Sequence, residues 1–463
     1  MTEQNRRKAK PMHRSHVTQA RLLAWEILQV VTCQNLYVHD AAHKVFDQGT
    51  YPETERSFAL LLAAGVVSTK GILDDTLNAI LSNPRDIDAR VRDALRISSY
   101  ELLFLDKSSY AAVNQGVELV RAIAPRATGV ANFALRRVAK QAEQSLTSLL
   151  GHVADDKLAN AFGFPEWIVG LLLEQKGRAW TEVFLRQANQ SAPLYFFVNQ
   201  ARVQEDAVLT ALTNHAIGFS RIMASTSESH YVQPALHTYR FEKRKAVNHP
   251  LVQGLLDQSA LVISDASAQT IASLALPQTR PTSFLEIGAG RGIKTILLQL
   301  GAFTRYGSFL DLDSVEVNAQ KNTIARQQLE KAHIPQVHHW VTDARDLRDF
   351  TDGFYDAVFI DAPCSGLGTL RRHPEIRWRL KPEDLTELHN LTSAILSCAG
   401  QKVAPGGQLT YATCTITYEE NQSVIKEFLA TSLGLEFSVE QVFETPLQPD
   451  GPDLHFACVL RRH

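Results

Sequence analysis

The sequence predicts a chain of class α/β, in which an all-helical domain and a small α+β module precede a larger domain with a mostly parallel sheet. From about residue 255 onward, short apolar runs typical of strands alternate with helical patterns, which indicates a parallel sheet. Residues 17 to about 150 show helical periodicity only. Because 463 residues allow about three domains, we expect domains at 1–150, 151–254 and 255–463.

The helical domain is predicted by apolar residues that recur at helical spacing. In ARLLAWEILQVV, the side chains of Leu23, Ile27, Val30 and Val31 fall on one helical face. VRDALRISSYELLFL and AAVNQGVELVRAI repeat this pattern further along. The pattern predicts a helical bundle and by itself indicates no function.

The middle module is predicted by helical and strand patterns that follow each other within about 100 residues. PEWIVGLLLEQ, EVFLRQA and DAVLTALTNH have the pattern of helices, whereas PLYFFVN and FSRIMAS are typical of strands. We therefore expect a small α+β unit between the two larger domains.

Composition favours a cytoplasmic protein with free thiols. The longest apolar run, ALLLAAGVV, is shorter than the roughly 20 residues that a membrane span needs. The first residues, MTEQNRRKAK, contain no apolar stretch of the kind found in a secretory signal. The five cysteines are odd in number and form no CxxC pair, so we expect no disulfide framework and no metal site.

A glycine-rich turn predicts a nucleotide-type cofactor. In SFLEIGAGRGIKT, a short apolar strand is followed by Gly288, Gly290 and Gly292, which allow a close approach of backbone and ligand. Asp311, in YGSFLDLD, is expected at the end of the next strand, where a carboxylate can accept hydrogen bonds from ribose hydroxyls. Asp343, in HHWVTDARDL, is expected at a third strand end, near an adenine. This set favours S-adenosylmethionine, although NAD sites share its first two features.

Two cysteines are expected at the ends of two further strands. DAVFID precedes Cys364 and GGQLTYA precedes Cys414, and open α/β sheets bind their ligands at such strand ends. A thiolate that adds to carbon 6 of cytosine makes carbon 5 nucleophilic enough to accept a methyl group. A second group is then needed to help release the product. The alternative is that both cysteines are small buried apolar side chains.

The motifs DAPCSGLGTLRRHPEIRW and YATCTITYEEN resemble the two signature motifs of the RNA (cytosine-5) methyltransferases. The N-terminal stretches LRISSYELLFL and GVANFALRRVAK resemble the helical domain shared with the antitermination factor NusB. The resemblance covers nearly the whole chain and is to family members that act on 16S rRNA. It implies a Rossmann-like S-adenosylmethionine methyltransferase domain behind a NusB-like domain, with RNA as the partner, a monomeric state and no membrane.

The resemblance also implies roles for single residues. Cys414 matches the family's nucleophile, and Cys364 matches the cysteine that assists breakdown of the covalent adduct. Asp361 matches the residue that contacts the methionine end of the cofactor and the target base, while Asp311 and Asp343 match the ribose and adenine acids. The cofactor loop corresponds to Gly288, Ala289, Gly290, Arg291, Gly292, Ile293 and Lys294.

Three departures and one basic cluster complete this interpretation. The family loop usually reads CAAPGGK, so Arg291 stands at a proline position and Ile293 at a glycine position. Phe197 stands at the arginine position of the family's Arg-Val-Asn motif. A cluster directly after the DAPC motif is predicted to hold RNA phosphates or, alternatively, to be a solvated charged face; its candidate RNA contacts are Arg371, Arg372 and Arg377.

Three alternatives remain open at this point. A nicotinamide-dependent oxidoreductase would explain Asp311 and the glycines but would leave both cysteine motifs without a role. An RNA-binding scaffold with a degenerate enzyme domain would explain the altered glycine loop. The same methylation chemistry could also act on tRNA or 23S rRNA instead of 16S rRNA.

Overall fold

The computed structural model describes residues 16–105, 108–145, 154–222 and 236–463. The chain divides into two compact units. Unit 1 contains the residues up to Gly170 together with His373–Trp378, and unit 2 contains Leu171–Arg372 and Arg379–His463.

The N-terminal region is helical, as predicted, and its helices enclose an apolar core. Ile27, Leu62, Leu73 and Leu95 are fully buried in this core. A buried ion pair between Arg21 and Glu101 joins the first helix to the fifth. The helices are α1 Gln19–Gln34, α2 Val38–Phe46, α3 Glu53–Ser68, α4 Lys70–Ile80, α5 Ala89–Phe104, α6 Ser109–Ile123, α7 Thr128–Ser145 and α8 Leu158–Phe162.

The middle region forms a four-stranded antiparallel sheet with the order β2-β3-β1-β4. Phe196 and Phe197 are adjacent on β1 and point to opposite faces, so they enter two different apolar cores. The strands are β1 Tyr195–Val198, β2 Phe219–Ile222, β3 Thr238–Phe241 and β4 Leu261–Ile263. The helices are α9 Glu166–Ala188, which leaves helical geometry at Gly177, α10 Glu205–Asn214 and α11 Pro250–Asp257.

The C-terminal region is built on a seven-stranded sheet with the order β10-β11-β9-β8-β5-β6-β7. Strands β9, β8, β5, β6 and β7 run parallel, and β11 and β10 are antiparallel to their neighbours. The strands are β5 Phe284–Ile287, β6 Leu312–Val315, β7 Val337–Trp340, β8 Tyr355–Asp361, β9 Val403–Thr413, β10 Phe437–Glu444 and β11 Phe456–Arg462. The helices are α12 Ala266–Ala275, α13 Ile293–Tyr306, α14 Ala319–Ala332, α15 Ile376–Arg379, α16 Pro382–Lys402 and α17 Val424–Leu429.

The strand order creates a topological switch point between β5 and β8. From β5 the chain continues to β6 and β7 on one side, and it then returns to β8 on the other side of β5. In doubly wound sheets, ligands bind at the carboxyl ends of the strands beside such a reversal. The order confirms the predicted Rossmann-like domain and directs attention to the loops after β5 and β8.

The two compact units divide the chain more coarsely than the three predicted domains. Residues up to Gly170 belong to unit 1, and the small sheet includes Leu261–Ile263, which lies beyond the predicted boundary at residue 254. The three-domain boundaries therefore stay a prediction. Among the described residues no single helix is long and apolar enough to cross a membrane. Helices α3 and α4, which meet at an angle of 75°, reach the required length and apolar content only when they are taken together.

Candidate active site

The turn between β5 and α13 has a backbone that requires glycine. Gly288, Gly290 and Gly292 all have positive φ angles, of 82°, 58° and 88°. A Cβ atom at position 288 would lie 2.3 Å from the carbonyl oxygen of Asp361, so a larger residue would push this turn away from the end of β8. The predicted loop therefore lies at the switch point, next to the strand that carries Asp361.

An acidic side chain holds this turn from the next strand, but it is Glu316 and not Asp311. Glu316 directly follows β6, and its carboxylate accepts hydrogen bonds from the backbone N–H of Gly290 at 2.9 Å and of Asn318 at 2.8 Å. Asp311 lies before β6, at the opposite edge of the sheet, where its exposed carboxylate contacts His338. The predicted ribose role of Asp311 is therefore wrong.

The error at Asp311 has a local cause. The predicted strand ends at Asp311, whereas β6 begins one residue later, at Leu312, which pairs with Phe284 of β5. Residues 308–311 instead lead from Gly307, which ends α13 in left-handed geometry, into the strand. The signal that could have identified Glu316 is the apolar Val315 directly before it, which places the strand end four residues beyond Asp311.

Asp343 lies at the predicted edge of the sheet, three residues after the end of β7. Its carboxylate accepts hydrogen bonds from the backbone N–H of Arg345 at 2.9 Å and from the guanidinium of the same residue. These bonds fix the loop in which it lies. A contact of Asp343 with an adenine stays a prediction.

Lys294 and Asp361 form an ion pair between the first turn of α13 and the end of β8, with Nζ and Oδ2 2.7 Å apart. Although burial favours the neutral amine, the carboxylate of Asp361 and the nearby thiol of Cys414 raise the pKa of Lys294. Lys294 is therefore a fixed cation at the switch point. Below it, Glu286 is fully buried and accepts hydrogen bonds from Thr295 and Ser314.

The two predicted cysteines meet. The Sγ atoms of Cys364 and Cys414 are 3.4 Å apart, and the backbone N–H of Cys414 also points at the Cys364 sulfur. Both thiols are half-buried. Gly368 supports this approach because its N–H donates to the Cys414 carbonyl at 3.0 Å, and a Cβ there would lie 1.9 Å from the Leu454 carbonyl.

The two thiols differ in their electrostatic environment. The hydrogen bond with Cys414, burial, the charge of Cys414 and the carboxylate of Glu420 together raise the pKa of Cys364 well above its ordinary value. Cys364 therefore holds its proton at neutral pH.

The arginines of the predicted RNA-binding cluster contact partners within the protein. Arg377 is fully buried, lies 3.8 Å from the ring centroid of Phe164 and donates to the Ser68 carbonyl. Arg372 forms ion pairs with Asp453 at 2.6 Å and Asp265 at 3.0 Å.

Arg371 donates to the backbone carbonyls of Gly451 and Ser191. The burial of Arg377 excludes it as a contact for RNA phosphates, whereas Arg371 and Arg372 are partly exposed and their contact with RNA stays a prediction.

Two protein families match this chain. The NusB family matches residues 18–140. The family described as 16S rRNA methyltransferase RsmB/F matches residues 273–451, which include the glycine turn, Asp361 and both cysteines. The chain therefore carries an RsmB/F-type methyltransferase domain at residues 273–451. It is an RNA methyltransferase with a NusB-family domain at its N-terminus, and its methyl donor is S-adenosylmethionine.

Two relatives are similar to this chain over most of its length. The probable ribosomal RNA small subunit methyltransferase B of Synechocystis is 27% identical, and the match covers 89% of each chain. Ribosomal RNA small subunit methyltransferase B of Klebsiella pneumoniae is also 27% identical, with 86% of this chain and 88% of the relative covered.

Solved structures share the fold. The crystal structure of PH0851 superposes over 96% of this chain and 98% of that chain, with a TM-score of 0.72 at 18% sequence identity. A methyltransferase homologue from Pyrococcus horikoshii covers 68% of this chain and all of its own, with a TM-score of 0.54 at 16% identity.

The groups at the switch point of this RsmB/F chain fit S-adenosylmethionine. The turn at Gly288 exists only without a side chain, which leaves its backbone accessible to a ligand. Glu316 and Asp343 offer carboxylates to ribose hydroxyls and an adenine amino group, and Lys294 offers a cation to a carboxylate. The family assignment excludes the nicotinamide alternative.

We predict that Glu316→Ala weakens S-adenosylmethionine binding about tenfold to a hundredfold, the equivalent of one charge-assisted hydrogen bond to the ligand. Isothermal titration calorimetry measures the dissociation constant. Asp311→Ala is the matched control, because this carboxylate lies at the opposite edge of the sheet and should leave binding unchanged. A larger loss for Asp311→Ala than for Glu316→Ala would restore the original assignment.

We predict that Arg372→Met destabilises the fold by about 3–5 kcal/mol, since it leaves two buried carboxylates without their cation. Burial and the charge of Asp265 raise the pKa of Asp453 to about 7, although the nearby charges of Arg372 and Arg371 act to lower it. In the folded parent, Asp453 loses its proton as the pH rises through about 7, and Arg372 then pairs with the new charge. The variant lacks this cation, so its deficit in stability should grow as the pH rises through 7.

Urea denaturation followed by circular dichroism measures this loss at each pH. Arg348→Met is the control, because Arg348 is 80% exposed in its pair with Asp346 and the variant should unfold at the same urea concentration as the parent. Equal losses for the two variants would show that the buried cluster is not needed for stability.

Proposed function

We propose that this protein transfers a methyl group from S-adenosylmethionine to carbon 5 of a cytosine in 16S rRNA, through a covalent bond between Cys414 and carbon 6 of the base. The observation that carries the proposal is the 3.4 Å separation of the Cys364 and Cys414 sulfur atoms. Both thiols follow parallel strands of the switch-point edge, and Lys294 and Asp361 lie in the same loop region.

Cys414 is the proposed nucleophile. A thiolate is the reactive form of cysteine, and Cys364, whose pKa is raised well above its ordinary value, is the less suitable nucleophile of the two. The Lys294 ammonium also interacts more strongly with Cys414 than with Cys364. A cation next to a thiolate stabilises its charge, which supports the assignment of the nucleophile to this side of the pair.

The proposed reaction uses the two thiols in sequence. The Cys414 thiolate adds to carbon 6 of cytosine, which breaks the aromaticity of the ring and loads electron density onto carbon 5. S-adenosylmethionine, when bound, supplies an electrophilic methyl group. Carbon 5 must afterwards lose its proton, and the bond between carbon 6 and the Cys414 sulfur must break.

Cys364 is the proposed partner in this release step. Its sulfur is in contact with the Cys414 sulfur, so its thiol can protonate the Cys414 thiolate as that leaves carbon 6. The Cys364 thiolate formed in this way can take up the proton that carbon 5 loses, and the double bond between carbons 5 and 6 is restored. Asp361 is the proposed contact for the target base, with its carboxylate held by Lys294 at the start of the cofactor loop. Reaching this site requires the base to leave its stack, which costs a few kcal/mol.

The choice of 16S rRNA rests on the matched family and on relatives whose names refer to the ribosomal small subunit. Methylation of tRNA or 23S rRNA is the runner-up. A scaffold role without catalysis would leave the Lys294–Asp361 pair and the paired thiols without a purpose. The monomeric state and a cytoplasmic location stay predictions.

We predict that Cys414→Ala abolishes methylation while S-adenosylmethionine binding persists, because the thiolate is needed for addition to the base and not for holding the donor. Bisulfite sequencing of total RNA from a deletion strain that expresses either variant measures the modification. Cys33→Ala is the control, since this thiol is exposed on α1. Full methylation by Cys414→Ala would remove the nucleophile assignment, and modification of tRNA or 23S rRNA alone would replace the substrate.

We predict that Cys364→Ser accumulates a covalent enzyme–RNA adduct, because Cys414 still adds to the base while release is impaired. The adduct should appear as an RNA-dependent slow band on a denaturing gel. It should disappear in the double variant Cys364→Ser, Cys414→Ala, because Cys414 makes the bond to RNA. Normal turnover of Cys364→Ser without a trapped adduct would show that Cys364 has no part in release.

A further inference from the structure

A buried carboxylate connects the two loops that carry the cysteines. Glu420 is fully buried, six residues after Cys414. Its Oε1 accepts from the backbone N–H of Ser365 at 2.6 Å, and its Oε2 accepts from the hydroxyls of Ser365 at 2.6 Å, Thr417 at 2.7 Å and Thr415 at 3.1 Å. Ser365 and Thr415 are the residues directly after Cys364 and Cys414, so one carboxylate holds the chain next to both thiols.

The segment around Glu420 is itself held in place. Glu419–Ser423 forms a π-helical turn, a geometry that occurs frequently at functional sites. The hydroxyl of the buried Tyr411 donates to the Glu420 carbonyl at 2.6 Å. Gln175 donates to the carboxylate of Glu419 and accepts from the Tyr418 N–H, which anchors the same turn from α9. The position of the Glu420 carboxylate is therefore fixed from several sides.

A buried charge is costly unless its hydrogen bonds are complete, and apolar packing could join two loops at lower cost. The choice of a carboxylate thus has an electrostatic consequence beyond fixing the loops. Glu420 is among the groups that raise the pKa of Cys364, after the hydrogen bond with Cys414, burial and the charge of Cys414. The other charged groups that face this region are Asp361 and Lys294, with the buried His455 beside them.

We propose that Glu420 is a positioning residue for the two-thiol reaction, which sets the separation of Cys364 and Cys414 and places a negative charge next to the loop of Cys364. This inference rests on the proposed function, since it assigns different roles to the two thiols. Glu420 touches neither substrate nor cofactor in this assignment. It acts through the hydrogen bonds that Ser365, Thr415 and Thr417 donate to its carboxylate, because these bonds fix the backbone next to both cysteines.

The test compares Glu420→Gln with its matched control Glu427→Gln. Glutamine keeps the shape of the side chain but removes the negative charge, whereas Glu427 is exposed on α17 and contacts only His389 and Ser423. The first readout needs no RNA: iodoacetamide labelling of Cys364 and Cys414 across the pH range, resolved by peptide mass spectrometry. The second readout is single-turnover methylation, with the trapped adduct measured on a denaturing gel.

We expect Glu420→Gln to lower the pH midpoint of Cys364 labelling by about one unit or more, because a carboxylate disfavours a neighbouring thiolate. Single-turnover methylation should slow about tenfold or more, with adduct accumulation and an unchanged dissociation constant for S-adenosylmethionine. Glu427→Gln should behave as the parent in every readout. The proposal would be overturned if the Glu420→Gln protein had the same labelling profile and methylation rate as the parent. It would also be overturned if the methylation rate fell only in proportion to the loss of folded protein or of S-adenosylmethionine binding.

Thr417→Val keeps the proposal falsifiable if Glu420→Gln does not fold. It removes one hydroxyl donor to Glu420 while the charge stays. We expect a slower single turnover and unchanged cofactor binding, and a parent-like rate would overturn the positioning role. A parent enzyme that makes no 5-methylcytosine would instead contradict the proposed function, while the labelling profiles would still report on the charge of Glu420.

Discussion

The parallel pairing of β8 with β9 is the constraint on which the candidate site depends. Asp361 lies opposite Ala412 in this pairing, and the N–H of Ala362 donates to the Ala412 carbonyl at 2.8 Å. Because both strands end at the same edge, the loops that follow them start side by side. A shift of the pairing by one residue would turn the side chains to the other face and separate the two thiols. The chemistry of the site is therefore a property of strand register before it is a property of any single side chain.

Charges inside the protein are arranged around this edge in a way that the small net charge of the chain does not indicate. Lys294 and Asp361 pair at the cofactor loop, Glu420 collects donors behind the cysteines, and Arg372 bridges Asp265 and Asp453. Each group is held by partners from different segments. Such pairs contribute little net stability compared with apolar packing, yet they fix geometry where a loss of one partner is costly. Rigid loops at the strand ends are what a reaction between two thiols and a base requires.

Much of the fold could be predicted because its signals are local. Helical periodicity identified the N-terminal helices, and the alternation of strands and helices identified the parallel sheet. The cysteine motifs could be placed at strand ends for the same reason, and their loops meet as the topology requires. The position of Asp311 could not be judged, since the start of a four-residue strand is poorly defined by propensity alone.

Other errors arose where distant parts of the chain decide the outcome. A run of arginines has the same composition whether it faces water or the protein interior, and only the partners Phe164 and Asp453 decide between them. Glu420 was missed for a related reason. Its importance comes from Ser365, 55 residues away in the chain, and no local pattern indicates that contact.

The absence of a side chain at Gly288 has a consequence for altering this protein. The turn lies against the Asp361 carbonyl, so in the proposed reaction the methyl donor and the target base would be separated by a wall one backbone thick. Changes made on either side of that wall would be transmitted to the other, and their effects would not simply add. Attempts to enlarge the site for bulkier sulfonium analogues would need to begin at the rim, near Glu316 or Asp343. A graft of this loop into another scaffold would have to bring the end of β8 with it.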